Sequence, residues 1–425
     1  MERQKIETIC IQEGYKPGNG EPRILPIYQS TTYKYDSADH LGKLFDLEVP
    51  GHMYTRISNP TVEYVEQKIA ALEGGVGAMC TSSGQAANLV AVMNIAGCGD
   101  NIISLSSIYG GTINLFAVTM KRFGIDVRFV NPDMTDEEIE PFFDENTKAV
   151  FGETIANPAL KVLDIERYAN LAHKHNVPLL VDNTFATPVL CRPFEFGADI
   201  VIHSTTKYMD GHASVVGGAV VDSGNFDWEA AGGFPGLTEP DESYHGVVYT
   251  RDFGKAAYIS KARCQLMRDL GTTPQPIAAF ILNQGLETLA LRMERHCENA
   301  MQVAEYLEKH EKISWVNYPK LPGSDQYELA EKYLPKGACG VISFGVKGGR
   351  EAAVKFMDSL KLAQIVVHVA DARTSVLHPA STTHRQLTDE QLKDAGIGAD
   401  LVRLSVGIEH ISDILADLEQ ALNQL

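Results

Sequence analysis

Most sequence patterns of secreted, membrane-bound or nucleic-acid-binding proteins are missing from this chain of 425 residues. It has seven cysteines and no C-x-x-C pair, which is typical of reduced thiols in a cytoplasmic protein. Basic residues are scarce, because 37 lysines and arginines against 55 acidic residues leave a net charge of −18. This charge disfavours phosphate backbones and anionic membrane surfaces as partners. No apolar run approaches the roughly 20 residues that span a bilayer. We therefore expect a cytoplasmic protein with neither nucleic-acid nor membrane partners.

Signatures of three common kinds of cofactor site are also absent. A dinucleotide site requires G-x-G-x-x-G between a strand and a helix, and the segment from Gly75 to Cys80 lacks the third glycine. There is no G-x-x-x-x-G-K-[ST] phosphate loop. The histidines, among them His173, His175, His378 and His384, show neither H-E-x-x-H nor Cys/His metal spacing. The sequence therefore disfavours a dehydrogenase, a nucleotide-phosphate site and a metal site.

What the sequence does contain is an alternation of strand and helix patterns. Residues 1–60 are rich in turns and aromatic residues and predict an extended arm. From 61 to 272, short β-branched runs alternate with helical segments, which predicts an α/β domain with a mostly parallel sheet and helices on both faces. An aperiodic excursion interrupts this pattern at about 222–250. Residues 273–425 begin with a long helical stretch and then mix both patterns, which predicts a smaller C-terminal α/β domain.

Several elements can be placed by residue. The clearest helix begins at Pro60 after an Asn59 cap and ends at Gly74. The predicted strands of the first sheet are Ile102–Leu105, Val127–Val130, Ala149–Phe151, Leu179–Val181 and Ile200–Ile202.

Polar residues follow the last two of these strands. Asp182 comes directly after one strand, and Lys207 follows the other behind Ser204, Thr205 and Thr206. Ligands of parallel sheets bind beyond the carboxyl ends of the strands. Asp182 is therefore either a turn residue or the partner of a cationic ligand atom. Lys207 is either a solvated lysine or a desolvated amine whose lowered pKa lets it attack an aldehyde.

A third signal lies before an apolar helix, in the segment from Thr81 to Ala87. Its backbone N–H groups either bind an anion at the helix N-terminus or are simply capped by Ser82 or Ser83. Taken together, the three signals call for a phosphate, an amine-reactive carbon and a protonated ring nitrogen. Pyridoxal phosphate (PLP) has all three, and a lysine bond with an aspartate partner is its usual binding chemistry.

Six segments resemble the Cys/Met-metabolism family of PLP enzymes, in the same order along nearly the whole chain. They are Tyr54–Thr61, Ser82–Ala87, Val181–Thr184, His203–Tyr208, His378–His384 and Val402–Glu409. The resemblance implies fold type I: a PLP-binding domain at 61–272, a C-terminal α/β domain and an N-terminal arm. It also implies a homotetramer in which neighbouring subunits share active sites.

The resemblance further implies roles for individual residues. Lys207 would bind the cofactor covalently and move protons, and Asp182 would pair with the ring nitrogen. Tyr109 would stack on the ring and assist departure of the γ-substituent. Asn157 would contact the phenolic oxygen and the substrate.

Two further groups of residues follow from the same resemblance. Arg403 would bind the substrate α-carboxylate, with Thr374 nearby. The remaining cofactor-binding residues, of which the first two would come from the neighbouring subunit, are Tyr54, Arg56, Ser83, Gly84, Gln85, Thr184, Ser204 and Thr206.

Within the family, the segments Phe234–Pro240, Tyr244–Gly246 and Lys261–Gly271 resemble O-acetylhomoserine sulfhydrylases. This implies γ-replacement on O-acetyl-L-homoserine by sulfide or methanethiol, giving homocysteine or methionine plus acetate. Methionine γ-lyases usually have a cysteine where this chain has Gly111, and many relatives have Ser-Pro-Thr where it has Thr154–Ala156. Methionine γ-lyase and cystathionine γ-synthase chemistry remain alternatives, and the acyl group and the thiol stay undetermined.

Overall fold

The fold contains two β-sheets, which a computed structural model describes for residues 4–382 and 398–425. Thr383 and His384, the end of one family motif, lie outside the described residues. The first sheet has seven strands: β1 Gly77–Thr81, β2 Asn101–Leu105, β3 Asp126–Val130, β4 Thr147–Glu153, β5 Leu179–Asp182, β6 Ile200–His203 and β7 Gly218–Asp222.

The strand order of this sheet is β1-β7-β6-β5-β4-β2-β3. Strands β6, β5, β4, β2 and β3 pair in parallel, which confirms the predicted α/β class with a mostly parallel sheet. Strand β7 is antiparallel to both β1 and β6. The prediction omitted β1 and β7, because the small residues of Gly77–Cys80 and Gly218–Ala219 weaken the β-branched pattern.

The second sheet has five strands: β8 Ile313–Asn317, β9 Val341–Val346, β10 Gln364–Ile365, β11 Ser375–Leu377 and β12 Leu401–Ser405. Their order is β10-β11-β12-β9-β8, and every pairing except β10 with β11 is antiparallel. The two sheets lie on either side of the predicted boundary between residues 272 and 273. The exact domain limits stay a prediction.

Helices cover the sheets, and the predicted Pro60–Glu73 is among them. Its Asn59 cap accepts a hydrogen bond from Thr61 N, and Gly74 ends it in the left-handed region at φ 86°. That helix packs on β1 and β7, Gly84–Met93 on β6 and β7, and Ile165–Lys174 on β4 and β5. The other described helices of seven or more residues are Ile6–Gln12, Ala38–Phe45, Pro276–Glu287, Leu289–Lys309, Tyr327–Tyr333, Gly349–Ser359 and Ile411–Leu422.

Shorter helical segments complete the described secondary structure. The α-helical ones are Gly110–Asn114, Asp136–Ile139, Thr187–Leu190, Trp228–Ala231, Pro235–Thr238, Tyr249–Phe253, Ala257–Lys261 and Arg268–Leu270. Two π-helical segments occupy Leu115–Met120 and Ala262–Met267. Single 3₁₀ turns occupy Glu140–Phe142, Pro193–Phe196, Glu242–Tyr244, Gly254–Ala256 and Pro379–Ser381.

Two regions carry more regular structure than the sequence predicted. The arm contains the short helices Ile6–Gln12 and Ala38–Phe45. The excursion contains the four-residue helices Trp228–Ala231 and Pro235–Thr238. Trp228, and Phe234 just before the second helix, have buried rings with centroids 5.0 Å apart. Helices this short do not complete a recognisable period of apolar residues. No helix in the described ranges is long and apolar enough to cross a membrane.

Candidate active site

Asp182 is the last residue of β5, and Thr184 links its carboxylate to the loop after β6. The backbone N–H of Thr184 donates to Asp182 Oδ1 at 3.0 Å, and its hydroxyl donates to the same oxygen. The Thr184 hydroxyl oxygen accepts from Ser204 N at 2.8 Å. Burial raises the pKa of Asp182, while the two hydrogen bonds from Thr184 oppose that rise. The arrangement presents a buried carboxylate held in a fixed orientation.

Glu153, the last residue of β4, lies beside Asp182 in the sheet register. Its Oε1 accepts a hydrogen bond from Tyr109 N at 2.7 Å, and its carboxyl group also accepts one from the backbone of Asn157. Burial and the charge of Asp182 raise the pKa of Glu153 well above its usual range. The charge of Asp182 therefore favours the neutral form of the adjacent Glu153 carboxyl. The sequence analysis did not assign Glu153 to the site, although it follows a buried strand just as Asp182 does.

Lys207 lies in the loop after β6, and its amine contacts His368, which follows β10 of the second sheet. Nζ is 3.3 Å from Nδ1 of His368. Burial, and then the positive charge of Arg403, lower the pKa of Lys207 to about 8, while Asp371 acts in the opposite direction. At neutral pH this lysine therefore has a larger neutral fraction than a solvated one, which suits an amine nucleophile.

The N-terminus of helix Gly84–Met93 packs directly against the loop that carries Lys207. Ser83 caps the helix by accepting from Ala86 N at 3.1 Å. A Cβ atom on Gly84 would come within 2.6 Å of Ser204 Cβ, so only glycine allows this approach. The contact leaves backbone N–H groups at the helix start next to the Ser204 side chain, a suitable cradle for a phosphate. The Thr206 hydroxyl donates to Gly217 O at 3.1 Å, so its hydrogen is already engaged.

Tyr109 lies over the same region and is 49% exposed. A Cβ atom on Gly111 would come within 2.4 Å of Tyr109 Cε1 and within 2.9 Å of Gln85 Nε2. Any side chain at position 111 would therefore displace the Tyr109 ring. Glycine at this position keeps the tyrosine ring beside Gln85 and the helix N-terminus.

Arg403 lies on β12, buried, and reaches toward the first sheet. Nη1 donates to Asn157 Oδ1 at 3.2 Å, and Nη2 donates to Val367 O at 3.3 Å. Nε has no hydrogen-bond partner among residues 4–382 and 398–425, and burial lowers the pKa of Arg403 to about 10. Within those ranges no ion pair joins Arg403 to a carboxylate. A buried guanidinium in this state is suited to an anionic ligand, which it can hold through two parallel hydrogen bonds.

In residues 4–382 and 398–425, no hydrogen bond or ion pair joins Thr374, Tyr54 or Arg56 to Lys207 or Arg403. The Thr374 hydroxyl donates to Glu409 Oε2 at 2.8 Å and accepts from Gly407 N at 2.9 Å, so it is engaged in its own turn. Tyr54 is 41% exposed, and Arg56 lies 5.3 Å from its ring centroid. In the described part of the chain, no hydrogen bond joins either residue to the loop of Lys207.

A buried polar network that the sequence analysis missed supports the strand ends. His203 Nε2 lies 2.6 Å from Glu73 Oε1, and Asn183 Nδ2 donates to the same oxygen at 2.9 Å. Thr154 donates its hydroxyl hydrogen to Asn183 Oδ1 at 2.8 Å. The network ties β4, β5 and β6 to helix Pro60–Glu73 directly beneath Asp182. No sequence pattern indicated it, because its members are spread over 130 positions.

These residues fit pyridoxal phosphate in three respects. The Lys207 amine is buried with a lowered pKa, the glycine cradle at Gly84 opens onto a helix N-terminus, and Asp182 is a buried carboxylate aimed from a strand end. The first suits the cofactor aldehyde, the second its phosphate and the third its ring nitrogen. Arg403, whose Nε has no partner among the described residues, supplies a separate anion site nearby.

Comparison with known proteins agrees with this chemistry. The family model described as "Cys/Met metabolism PLP-dependent enzyme" matches residues 7–423. A homocysteine synthase of Schizosaccharomyces pombe is 49% identical, with 99% of each chain covered. O-acetyl-L-homoserine sulfhydrylase 1 of Thermus thermophilus is 46% identical over 98% of this chain and 100% of its own.

A solved structure gives the same result for the fold. An O-acetylhomoserine (thiol)-lyase of Campylobacter jejuni, which carries a pyridoxyl-lysine monophosphate, superposes with a TM-score of 0.95. It is 37% identical, with 99% of this chain and 100% of the other covered. Matches of this length and identity confirm fold type I and the predicted cofactor. The chain belongs to the Cys/Met-metabolism family of PLP-dependent enzymes.

Proposed function

We propose that this enzyme replaces the acetoxy group of O-acetyl-L-homoserine with sulfide or methanethiol. The bond from Cγ to the acetate oxygen breaks, a bond from Cγ to sulfur forms, and the products are acetate and homocysteine or methionine. The observation that carries the proposal is the full-length identity of 49% and 46% to proteins named for this chemistry. The buried Arg403, whose Nε has no hydrogen-bond partner in residues 4–382 and 398–425, supports it, because an amino-acid substrate presents a carboxylate close to the carbon that loses a proton.

The residues divide the work of holding the cofactor. Lys207 binds the cofactor aldehyde covalently, and Asp182, oriented by Thr184, accepts a hydrogen bond from the ring nitrogen. Ser83, Gly84, Gln85, Ser204 and Thr206 surround the phosphate. When bound, pyridoxal phosphate supplies an electron sink for negative charge on the substrate.

The remaining residues act on the substrate. Arg403 binds its α-carboxylate and so fixes Cα near Lys207, whose neutral amine removes the Cα proton. Asn157 is held by Arg403 at the boundary between cofactor and substrate. The Tyr109 ring covers the site, and its hydroxyl assists departure of the γ-substituent. The buried Glu153 holds the backbone of Tyr109 in place.

Methionine γ-lyase chemistry is less favoured by the geometry around Tyr109. Those enzymes usually carry a cysteine at the position of Gly111, where a Cβ atom would come within 2.4 Å of the Tyr109 ring. In this chain the tyrosine ring occupies the space that such a cysteine needs. The site therefore differs in shape from one specialised for methionine.

We also propose a homotetramer whose subunits complete each other's sites. In the described part of the chain Tyr54 and Arg56 make no hydrogen bond to the loop of Lys207, and Tyr54 is 41% exposed. They would reach the phosphate of a neighbouring subunit. The cysteines are all unpaired, which supports a reducing cytoplasmic location.

The test is a side-by-side assay of the purified protein. Homocysteine formation from O-acetylhomoserine plus sulfide is compared with two other reactions. They are ketobutyrate release from methionine and cystathionine formation from O-acetylhomoserine plus cysteine. We expect the first rate to exceed the other two. Lys207→Ala should abolish all three, whereas Lys355→Ala, in an exposed part of helix Gly349–Ser359, should change none. Faster methionine breakdown or faster cystathionine formation would contradict the proposal.

A further inference from the structure

His368 lies within hydrogen-bond distance of the Lys207 amine. It follows β10 in the second sheet, 161 positions from Lys207, and its Nδ1 lies 3.3 Å from Nζ. The contact joins the loop after β6 of the first sheet to the segment after β10 of the second. None of the family motifs that assigned site residues includes His368.

The surroundings of His368 define which ring nitrogen carries its hydrogen. Nε2 lies 3.8 Å from Asp371 Oδ2 and has no hydrogen-bond partner in the described ranges. Oδ1 of the same carboxylate accepts from Arg373 N at 2.7 Å, which fixes its orientation. The nearby negative charge favours the hydrogen on Nε2. The lone pair of Nδ1 then faces the Lys207 amine as an acceptor.

The charges around His368 keep its ring neutral. Burial is the main cause that lowers its pKa, and Lys207 and Arg403 act in the same direction. Asp371 and Asp210 oppose burial and Lys207 with smaller effects, and the effect of Arg403 is the smallest. A neutral imidazole at neutral pH can accept a proton from an adjacent ammonium group. Its side chain is 21% exposed, whereas Nε2 itself is buried.

We propose that His368 is the proton partner of Lys207. After Lys207 has taken the Cα proton, one N–H bond of its ammonium group breaks and an N–H bond forms at Nδ1 of His368. The positively charged ring, which the Asp371 carboxylate stabilises, then releases this proton to water. Lys207 returns to the neutral amine, and the substrate proton is exchanged with solvent. The inference rests on the proposed function, because it requires Lys207 to be the base.

The test follows the Cα hydrogen of an amino acid that has no γ-leaving group. L-Norleucine is incubated with the holoenzyme in D₂O, and loss of its Cα–H signal is measured by NMR. Three variants are compared with the natural chain: His368→Phe, which keeps a ring without an acceptor, His368→Asn, which accepts a hydrogen bond but is not protonated, and His245→Asn. His245 is a suitable control, because its side chain is 88% exposed.

We expect exchange to fall tenfold or more in both His368 variants and to stay unchanged in His245→Asn. Visible cofactor absorption and borohydride trapping at Lys207 serve as readouts that the site is still loaded. If His368→Phe does not bind the cofactor, His368→Asn decides alone. If both His368 variants exchange the Cα hydrogen as fast as the unmodified enzyme, the proposal is overturned. An unchanged exchange rate in His368→Asn alone also overturns it, since His368 would then only orient the amine.

The same experiment separates this proposal from the one it rests on. Absence of exchange in the unmodified enzyme contradicts the role of Lys207 and overturns both. Rapid exchange in the unmodified enzyme that persists in the His368 variants leaves the role of Lys207 intact and overturns only the role of His368.

Discussion

Nη1 of Arg403 donates a hydrogen bond to Oδ1 of Asn157 at 3.2 Å, although 246 positions separate the two residues. Asn157 follows β4 of the first sheet, and Arg403 lies on β12 of the second. The pair therefore connects the first sheet to the second. Lys207, which follows β6, and His368, which follows β10, make another such contact. The proposed site depends on both sheets being packed together.

Replacing Arg403 tests the substrate-carboxylate site. Arg403→Lys keeps the charge but loses the forked pair of donors, so we expect kcat/KM for O-acetylhomoserine to fall by about 10- to 100-fold, equivalent to roughly 1.5–3 kcal/mol. The loss should appear mainly in KM. Arg122→Lys, at an exposed position, is the matched control and should match the unmodified enzyme. An unchanged KM in Arg403→Lys would place the carboxylate elsewhere.

The space around Gly111 gives a second prediction. Gly111→Cys puts a Cβ atom within 2.4 Å of Tyr109 Cε1, so the ring must move. We expect kcat for homocysteine formation to fall by about 10-fold or more without a gain in methionine breakdown. Gly323→Cys is the control, because nothing lies within 4 Å of its Cβ position. A Gly111→Cys enzyme that degrades methionine faster would show that residue 111 alone sets the reaction.

His296 predicts a pH dependence of stability. Burial lowers its pKa from 6.5 to about 4, its Nδ1 lies 2.8 Å from Val406 O, and its ring lies 5.0 Å from the Tyr208 centroid. Below pH 6.5 the unfolded chain takes up a proton that the folded chain refuses, so stability falls as the pH drops from 6.5 toward 4. Between pH 7 and pH 5 this group alone costs about 2 kcal/mol.

The check is denaturant unfolding of the natural chain and His296→Asn at pH 7 and pH 5. The asparagine can still donate to Val406 O but does not titrate. We expect it to lose about 2 kcal/mol less than histidine over this interval. Equal losses in both proteins would mean that His296 binds protons equally in the folded and unfolded states.

Subunit complementation tests the shared site. Arg56→Ala and Lys207→Ala are each expected to be inactive, but a subunit pair containing one of each has one complete site if Arg56 acts across the interface. Random reassembly of equal amounts should restore about a quarter of the natural activity. Mixing Lys207→Ala with Arg403→Ala should restore none, because both residues belong to the same subunit's site. Equal recovery in both mixtures, or none in either, would contradict the shared site.

The sequence predicted the parts of the site that lie directly after regular strands. Asp182 and Lys207 could be placed because parallel strands bring their carboxyl ends to one edge. Glu153 carries the same signal but was not assigned, since its partnership with Asp182 depends on the β4–β5 register. The role of Thr184 as a bridge to Ser204 likewise depends on the exact geometry of two loops.

Contacts between the sheets were beyond prediction from one sequence. His368 meets Lys207 only through the packing of distant elements, and no local pattern encodes that packing. The antiparallel β7 was missed because Gly218 and Ala219 weaken its strand pattern, and its place between β1 and β6 is a property of topology that no local pattern shows. The helices of the excursion are stabilised by buried aromatic contacts such as Trp228 with Phe234 rather than by a sequence period.

The central claim is that Lys207 carries the cofactor at the junction of the two sheets. The most direct measurement is borohydride reduction of the purified holoenzyme, followed by proteolysis and mass spectrometry. We expect a pyridoxyl phosphate adduct on the peptide that contains Lys207. Visible absorption should be lost at the same rate as this adduct forms. An adduct on another lysine, or none, would contradict the account.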